Sequence, residues 1–305
     1  MNMQVRVHTR REILGLVLLV FVTAAWGSTF LLVKNVTRTM PVMGFLALRF
    51  WIASFVLVLL RPRSLLRISS RTLMHGAVLG LALSGGYIFQ TLGLRYTSAA
   101  LSGFLTGLCV IITPIIAWPM LHHRASTSTI VAVIVATLGL GVLSMTGISF
   151  GLGEGYSIFG AICYALQIVG LGAWSEGEEI YALAFFQLLT VSVVCTLGSA
   201  PHFSIIAHGA LAWFGVISTA VIATSLAFVV QAWAQSYISP TRAAIVFTLE
   251  PVFAGLVAWF GGEHLSGPVI SGGALIVGAM LIAELGLRYH IRLGRLTKRA
   301  DSHLR

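Results

Sequence analysis

Apolar residues run in long unbroken stretches, and polar residues gather at short intervals between them. The runs fall at 13–33, 42–60, 73–94, 98–121, 128–146, 155–174, 181–200, 209–234, 239–260 and 267–287. Each is near the ~20 residues that a helix needs to cross a bilayer. None shows the strict alternation of a half-buried strand. An open backbone cannot cross hydrocarbon with its amides unpaired, so the pattern predicts an all-α membrane protein of ten transmembrane helices. The junctions at 94–98 and 234–239 are short enough to be read as bends in one long helix.

The pattern repeats. Gln90 to Ser126 resembles Gln231 to Gly267 at an offset of 141, which lays Gln90 on Gln231, Tyr96 on Tyr237, Ser98 on Ser239 and Leu108 on Leu249. In each copy an apolar helix ends, a Tyr-Xaa-Ser link follows, and a second apolar helix carries a proline. Pro114 and Pro251 miss register by four residues, about one turn. The expected organisation is two five-helix repeats, residues 1–150 and 151–305, the second ending in a basic tail. An odd number of spans per repeat makes the second enter the membrane upside down, an inverted repeat with its site between the halves. Gly76/Gly80 and Gly103/Gly107 have the small-residue spacing of closely packed helices.

Composition agrees. The chain is 57% hydrophobic and 9% charged, against roughly 25% charged in soluble domains. The net charge of +10 sits in tails and loops, so it reads as orientation and not as a nucleic-acid surface. With the N-terminus inside, the inside segments hold fifteen Lys and Arg, and the outside loops hold only Lys34, Arg38 and Arg95. Both termini are therefore expected in the cytoplasm. Glu176, Glu178 and Glu179 do not weigh in that rule. The first run, after Arg6, Arg10 and Arg11, is long enough to be a retained span rather than a cleaved leader.

Polar side chains inside the runs are the candidate chemistry. Glu250, near the centre of the ninth run, is costly at that depth and must face the interior, water or a partner. It is a candidate for proton coupling, for binding an amine, or for a structural role. Pro251 would free the Phe247 carbonyl and kink the helix beside the acid; Pro114 would do the same to Val110. Arg49, in the second run, could pair with Glu250 or clamp a substrate carboxylate. Trp26, Ser28, Tyr87, Gln90, Thr106, Tyr164, Gln167 and Gln231 are candidate lining for a substrate cavity. Cys109, Cys163 and Cys195 have no CxxC spacing and read as small buried hydrophobes. The adjacent His122 and His123 lack a carboxylate at ligand spacing, so no metal and no cofactor are expected. The Gly147–Gly151 match to a nucleophile-elbow pattern lies between two membrane helices, which does not support an enzyme.

Taken in order, Ala25-Trp26-Gly27-Ser28-Thr29-Phe30, Arg49, Tyr96-Thr97-Ser98-Ala99-Ala100 and Leu249-Glu250-Pro251 followed by Glu263 resemble the EamA-type branch of the drug/metabolite transporter superfamily. The resemblance covers all ten runs. The sixth, CYALQIVGLGAWSE, departs from the Trp-Gly pattern of the first, so the counterpart of Trp26 is not evident. The resemblance implies a bacterial inner-membrane carrier working by alternating access. Its expected substrates are amino acids, aromatic or bulky apolar ones favoured. The alternative is a proton-coupled drug, cation or sugar-metabolite carrier. The expected partners are a small molecule, membrane lipid and, in a coupled carrier, protons. A monomer is compatible with this reading. A pore or an intramembrane enzyme has the least support.

Overall fold

The computed structural model describes residues 2–66, 68–97, 99–121, 126–143, 151–175, 179–200, 207, 209–260, 267–268 and 270–282. Ser98, His122, His123, Arg124, most of the Gly147–Gly151 motif, Glu176, Glu178, Glu263 and the basic tail lie outside these residues. The described residues contain no strand. The helices are α1 (Asn2–Thr39), α2 (Val42–Leu60), α3 (Ser70–Tyr96), α4 (Ala99–Gly107), α5 (Cys109–Leu121), α6 (Thr127–Leu143), α7 (Leu152–Trp174), α8 (Ile180–Ser199), α9 (Ala210–Ala220), α10 (Ala227–Gln235), α11 (Pro240–Phe247) and α12 (Glu250–Phe260). A π-helical turn, Val221–Leu226, joins α9 to α10, and a final apolar helix, α13, covers Ile270–Ile282.

Among the described residues, seven stretches reach the length and hydropathy of a span: Arg10–Thr39, Val42–Leu60, Ser70–Tyr96, Leu152–Trp174, Ile180–Ser199, Ala210–Gln235 and Pro240–Val257. Three apolar helices are shorter, Leu105–Leu121, Thr127–Val142 and Ile270–Ile282. Both junctions that could have been bends are true ends. Helix α3 stops at Thr97, which is extended (φ −129°, ψ 174°), and Ser239 before α11 is also extended (φ −62°, ψ 149°).

Two runs expected as single helices are broken. The fourth breaks at Leu108 and the ninth at Thr248–Leu249, positions related by the offset of 141. The breaks therefore follow the repeat; the second also lies beside its proline, and the first does not. At each, the last turn tightens to three-residue bonds: Leu108 N–H donates to the Leu105 carbonyl, and Leu249 N–H to Val246. Pro251 is the second residue of α12, where its missing N–H has no intrahelical partner to lose. Pro114 lies inside α5, six residues beyond its break.

The molecule is inverted in polarity relative to a soluble protein. Phe21, Leu59, Leu60, Leu197, Leu211 and Phe260 are exposed, whereas Gln167, Gln187, Ser192, Thr219 and Thr224 are buried. In water the first set would aggregate; against lipid it is the appropriate surface.

Packing between helices comes in matched sets. Helix α3 lies on α7, and α10 lies on α1; α5 touches α7, and α12 touches α1; α4 meets α12, and α5 meets α11; α2 lies against α8. Exchanging α1 with α7, α2 with α8, α3 with α9–α10, α4 with α11 and α5 with α12 returns the same set. Gly76 and Gly80 sit where α3 crosses α8, Gly76 against Phe186 and Gly80 against Thr190.

Candidate functional site

Where the two sets of helices meet, a cavity remains, with about 760 Å³ unfilled by atoms including the solvent at its mouth. Helix α1 reaches it with Trp26, Thr29, Phe30 and Val33. These are spaced i, i+3, i+4 and i+7, one helical stripe. Seen against the repeat, the lining is paired. Trp26 and Gln167, Tyr87 and Phe228, Gln90 and Gln231, Thr106 and Phe247, and Cys109 and Glu250 all line the cavity, and each pair is 141 residues apart. The same backbone positions of the two halves thus face each other with different side chains.

Five rings form a continuous arc. Trp26 lies 5.2 Å from Phe247 and 5.7 Å from Phe228 between centroids. Phe228 is 6.2 Å from Tyr87, and Tyr87 meets Tyr164 edge-on at 5.6 Å. Gly86 makes the last contact feasible, because a Cβ there would fall 2.6 Å from the Tyr164 ring. The close approach lets the Tyr164 hydroxyl donate to Gln90 Oε1 at 2.9 Å, while Gln90 Nε2 donates to Thr106 Oγ1 at 3.2 Å.

The polar counterpart is a ladder of amides. Gln231 Nε2 donates to Gln167 Oε1 at 3.2 Å and to Gln235 Oε1 at 2.9 Å. Gln167 Nε2 donates onward to Gln187 Oε1 at 2.8 Å, and Gln235 Nε2 to the Ile168 carbonyl at 2.8 Å. Gln231 Oε1 is buried with no partner. An unpaired buried acceptor is unfavourable by about 1–3 kcal/mol unless something in the cavity donates to it.

Glu250 is the first residue of α12 and half-buried at the cavity wall. A helix N-terminus favours negative charge there. Gly27 packs against the Glu250 carbonyl oxygen and 2.9 Å from Phe253 Cβ, reckoned from a Cβ built on it, so only glycine lets α1 come so near. Arg49 is 3% exposed. Its Nε donates to Thr224 Oγ1 at 2.8 Å, and Nη2 reaches Tyr87 Oη and the Ala223 carbonyl, each at 3.5 Å. The guanidinium also lies 4.9 Å from the Tyr87 ring centroid. Among the described residues no ion pair joins Arg49 to Glu250. The ion pair described is Arg242 with Glu12, 3.5 Å apart, at the other end of α1.

Of the residues expected at a cavity, Trp26, Tyr87, Gln90, Thr106, Tyr164, Gln167, Gln231 and Glu250 line it, and Arg49 joins them. Ser28 does not. It is exposed, and its hydroxyl donates back to the Ala25 carbonyl at 2.8 Å. One residue on, Thr29 takes the inward face. Pro114 and Pro251 are not lining residues; they belong to the broken helices beside it. Sequence reasoning passed over Phe228, Phe247 and Cys109, yet the offset of 141 from Tyr87, Thr106 and Glu250 lands on them. It also supplies the missing counterpart of Trp26, which is Gln167. Gln187 and Thr224 carry no such signal.

Among the described residues no group of three or more His, Cys, Asp or Glu side chains is placed to hold a metal.

The sequence pattern of the EamA-like transporter family matches this chain twice, over residues 13–145 and 151–284. The chain belongs to the EamA-like transporter family. It is thus a multi-pass membrane protein of a transporter family rather than an enzyme, and its family role implies a small-molecule substrate. Two proteins of Archaeoglobus fulgidus, each described as an uncharacterized transporter, are similar to it. One is 32% identical over 273 residues, covering 88% of this chain and 84% of its own length. The other is 26% identical over 217 residues, covering 70% and 76%. A solved crystal structure at 20% identity superposes with a TM-score of 0.75 and covers 89% of this chain and 97% of its own. That likeness supports the fold alone.

Proposed function

We propose that this EamA-like transporter exports amino acids, aromatic or bulky apolar ones favoured, by alternating access across a bacterial inner membrane. The single observation that carries the reading is the cavity between the repeats, lined by an arc of five rings, by glutamines of the amide ladder and by a carboxylate. An amphipathic molecule with a flat apolar body and a hydrogen-bonding head complements that lining. Inverted repeats, 1–150 and 151–305, would supply the two access states by exchanging conformations. Both termini would face the cytoplasm.

Glu250 favours a second reading. Glu250 is a partly buried residue at the cavity wall, whereas Arg49, the lining cation, is 3% exposed. That asymmetry favours a substrate with a positively charged group, and an organic cation has one without a carboxylate. In either reading Glu250 is the candidate carrier of a coupling proton.

The test is counterflow of radiolabelled amino acids into proteoliposomes, with and without an imposed pH gradient. Saturable uptake of tryptophan, phenylalanine or leucine is expected. Glu250→Gln should lose gradient-driven accumulation and keep exchange. Uptake of an aromatic amine such as tryptamine, with no amino acid moved, would replace the first reading by the second. Conduction that never saturates would remove both.

A further inference from the structure

The π turn between α9 and α10 has a defined consequence at the cavity. In an α-helix the Ala227 N–H would donate to Ala223, four residues back. Here it reaches Ile222 and Thr224 instead. The Ala227 N–H thus does not take the Ala223 carbonyl, and two side chains from other helices donate to it. Trp26 Nε1 donates to it at 2.8 Å and Arg49 Nη2 at 3.5 Å. Arg49 also fixes the next residue, through Nε to Thr224 Oγ1 at 2.8 Å. Thr224 in turn donates to the Thr219 carbonyl, five residues back, at 2.9 Å, and Ser225 does the same to Ala220. Each hydroxyl follows the wide turn.

Three elements therefore converge on one carbonyl. The indole of Trp26 is the second ring of the aromatic arc, between Phe247 and Phe228. Its edge is held by Ala223, and Ala223 is held by Arg49. The guanidinium is buried against neutral acceptors and the rings of Tyr87 and Phe50; Glu250 lines the same cavity, but among the described residues no ion pair joins the two. A buried cation with no carboxylate at contact distance pairs with backbone carbonyls and π faces.

We propose that Arg49 is a specificity-determining positioning residue: through the π turn it sets the orientation of Trp26, and so the shape of the aromatic wall that the transported molecule meets. Although Arg49 reaches the cavity wall, its role in this proposal runs through Ala223 and Thr224 and not through contact with the substrate. This rests on the cavity being the transport site, so the experiment reads the geometry and the transport separately.

For the geometry, the protein is labelled with 5-fluorotryptophan and observed by fluorine NMR in detergent. The Trp26 resonance is assigned by its loss in Trp26→Phe. It is expected to shift in Arg49→Gln and in Thr224→Val, and to return towards its original position in Arg49→Lys, which retains the positive charge and a longer reach than glutamine. An unmoved resonance in both Arg49→Gln and Thr224→Val overturns the proposal, whatever the substrate. Thr224→Val keeps the charge and covers the case in which Arg49→Gln does not fold.

For transport, tryptophan, leucine and tryptamine serve as probes. Arg49→Gln and Trp26→Phe should each change the ratio of apparent KM for tryptophan over leucine by about tenfold, the size of one well-placed hydrogen bond. The double variant should go no further than either single one. Tryptamine should follow tryptophan. If Arg49→Gln instead loses both amino acids and spares tryptamine, Arg49 binds the carboxylate directly and the positioning role is refuted. If none of the probes is moved by the unaltered protein, the amino acid and amine readings fail, and the fluorine resonance alone decides the role of Arg49.

Discussion

Two residues show how closely the cavity depends on single side chains. Gly27 has no room for a methyl group, because the Glu250 carbonyl oxygen and Phe253 fill the place. Gly27→Ala should therefore push α12 away from α1 and lower stability by about 1–3 kcal/mol, the usual penalty of overpacking. Gly141, where an added Cβ meets nothing within 4 Å, is the matched control. Thermal unfolding in detergent should separate the two; equal midpoints would mean that the α1–α12 contact adapts. Glu250 was legible in the sequence because a carboxylate in a long apolar run has few tolerable environments. Ser28 was misplaced because apolar runs this uniform carry little amphipathic phase. A one-residue error on a helix turns a side chain by 100°, and that is the difference between Ser28 and Thr29.

At the scale of elements, the broken helices say most. Prolines suggested kinks at 110–114 and 247–251; the second break, at Thr248–Leu249, falls inside its interval, but the first sits at Leu108, before the interval that Pro114 sets. In the second half the proline merely opens the helix that follows. Pro114→Ala should then leave the α4–α5 break in place and keep transport within about twofold, since a proline removed from a helix interior relieves a penalty of ~3 kcal/mol rather than imposing one. A transport loss beyond tenfold would show that Pro114, and not the Leu108 turn, shapes the cavity wall. The π turn had no sequence signal. Its hydroxyls at Thr224 and Ser225 resemble many others in the chain, and only the contacts from Arg49 and Ala53 give them meaning. Helix existence was readable from hydropathy; local winding was not, because it is settled by partners distant in sequence.

Across the whole molecule, α1 is held at both ends by the two links that the repeat relates. Near its start, Arg11 donates to the Tyr237 hydroxyl at 3.0 Å and Glu12 pairs with Arg242 at 3.5 Å. Near its end, Lys34 donates to the Thr97 carbonyl at 3.0 Å. Tyr237 and Tyr96 are repeat mates, and Thr97 follows Tyr96. Between these ends the stripe from Trp26 to Val33 faces the cavity. Under the proposed alternating access, loosening one clasp while keeping the other would expose the cavity to one side and then to the other. The internal repeat was visible in the sequence through Gln90, Tyr96 and their mates, and it foreshadowed a site between the halves. It could not tell which side chains the two halves turn toward each other, since that depends on helix rotation.

The central claim is that the transported molecule passes through this cavity by alternating access. The direct test uses Thr106→Cys, at the cavity wall, in a protein whose Cys109, Cys163 and Cys195 are replaced by alanine. Sealed vesicles are exposed to a membrane-impermeant thiol reagent on one side or the other during turnover. The account predicts labelling from both sides, and slowing by about tenfold when the transported amino acid is present at ten times its Kd. Labelling from one side only, or labelling that the amino acid does not slow, would contradict it.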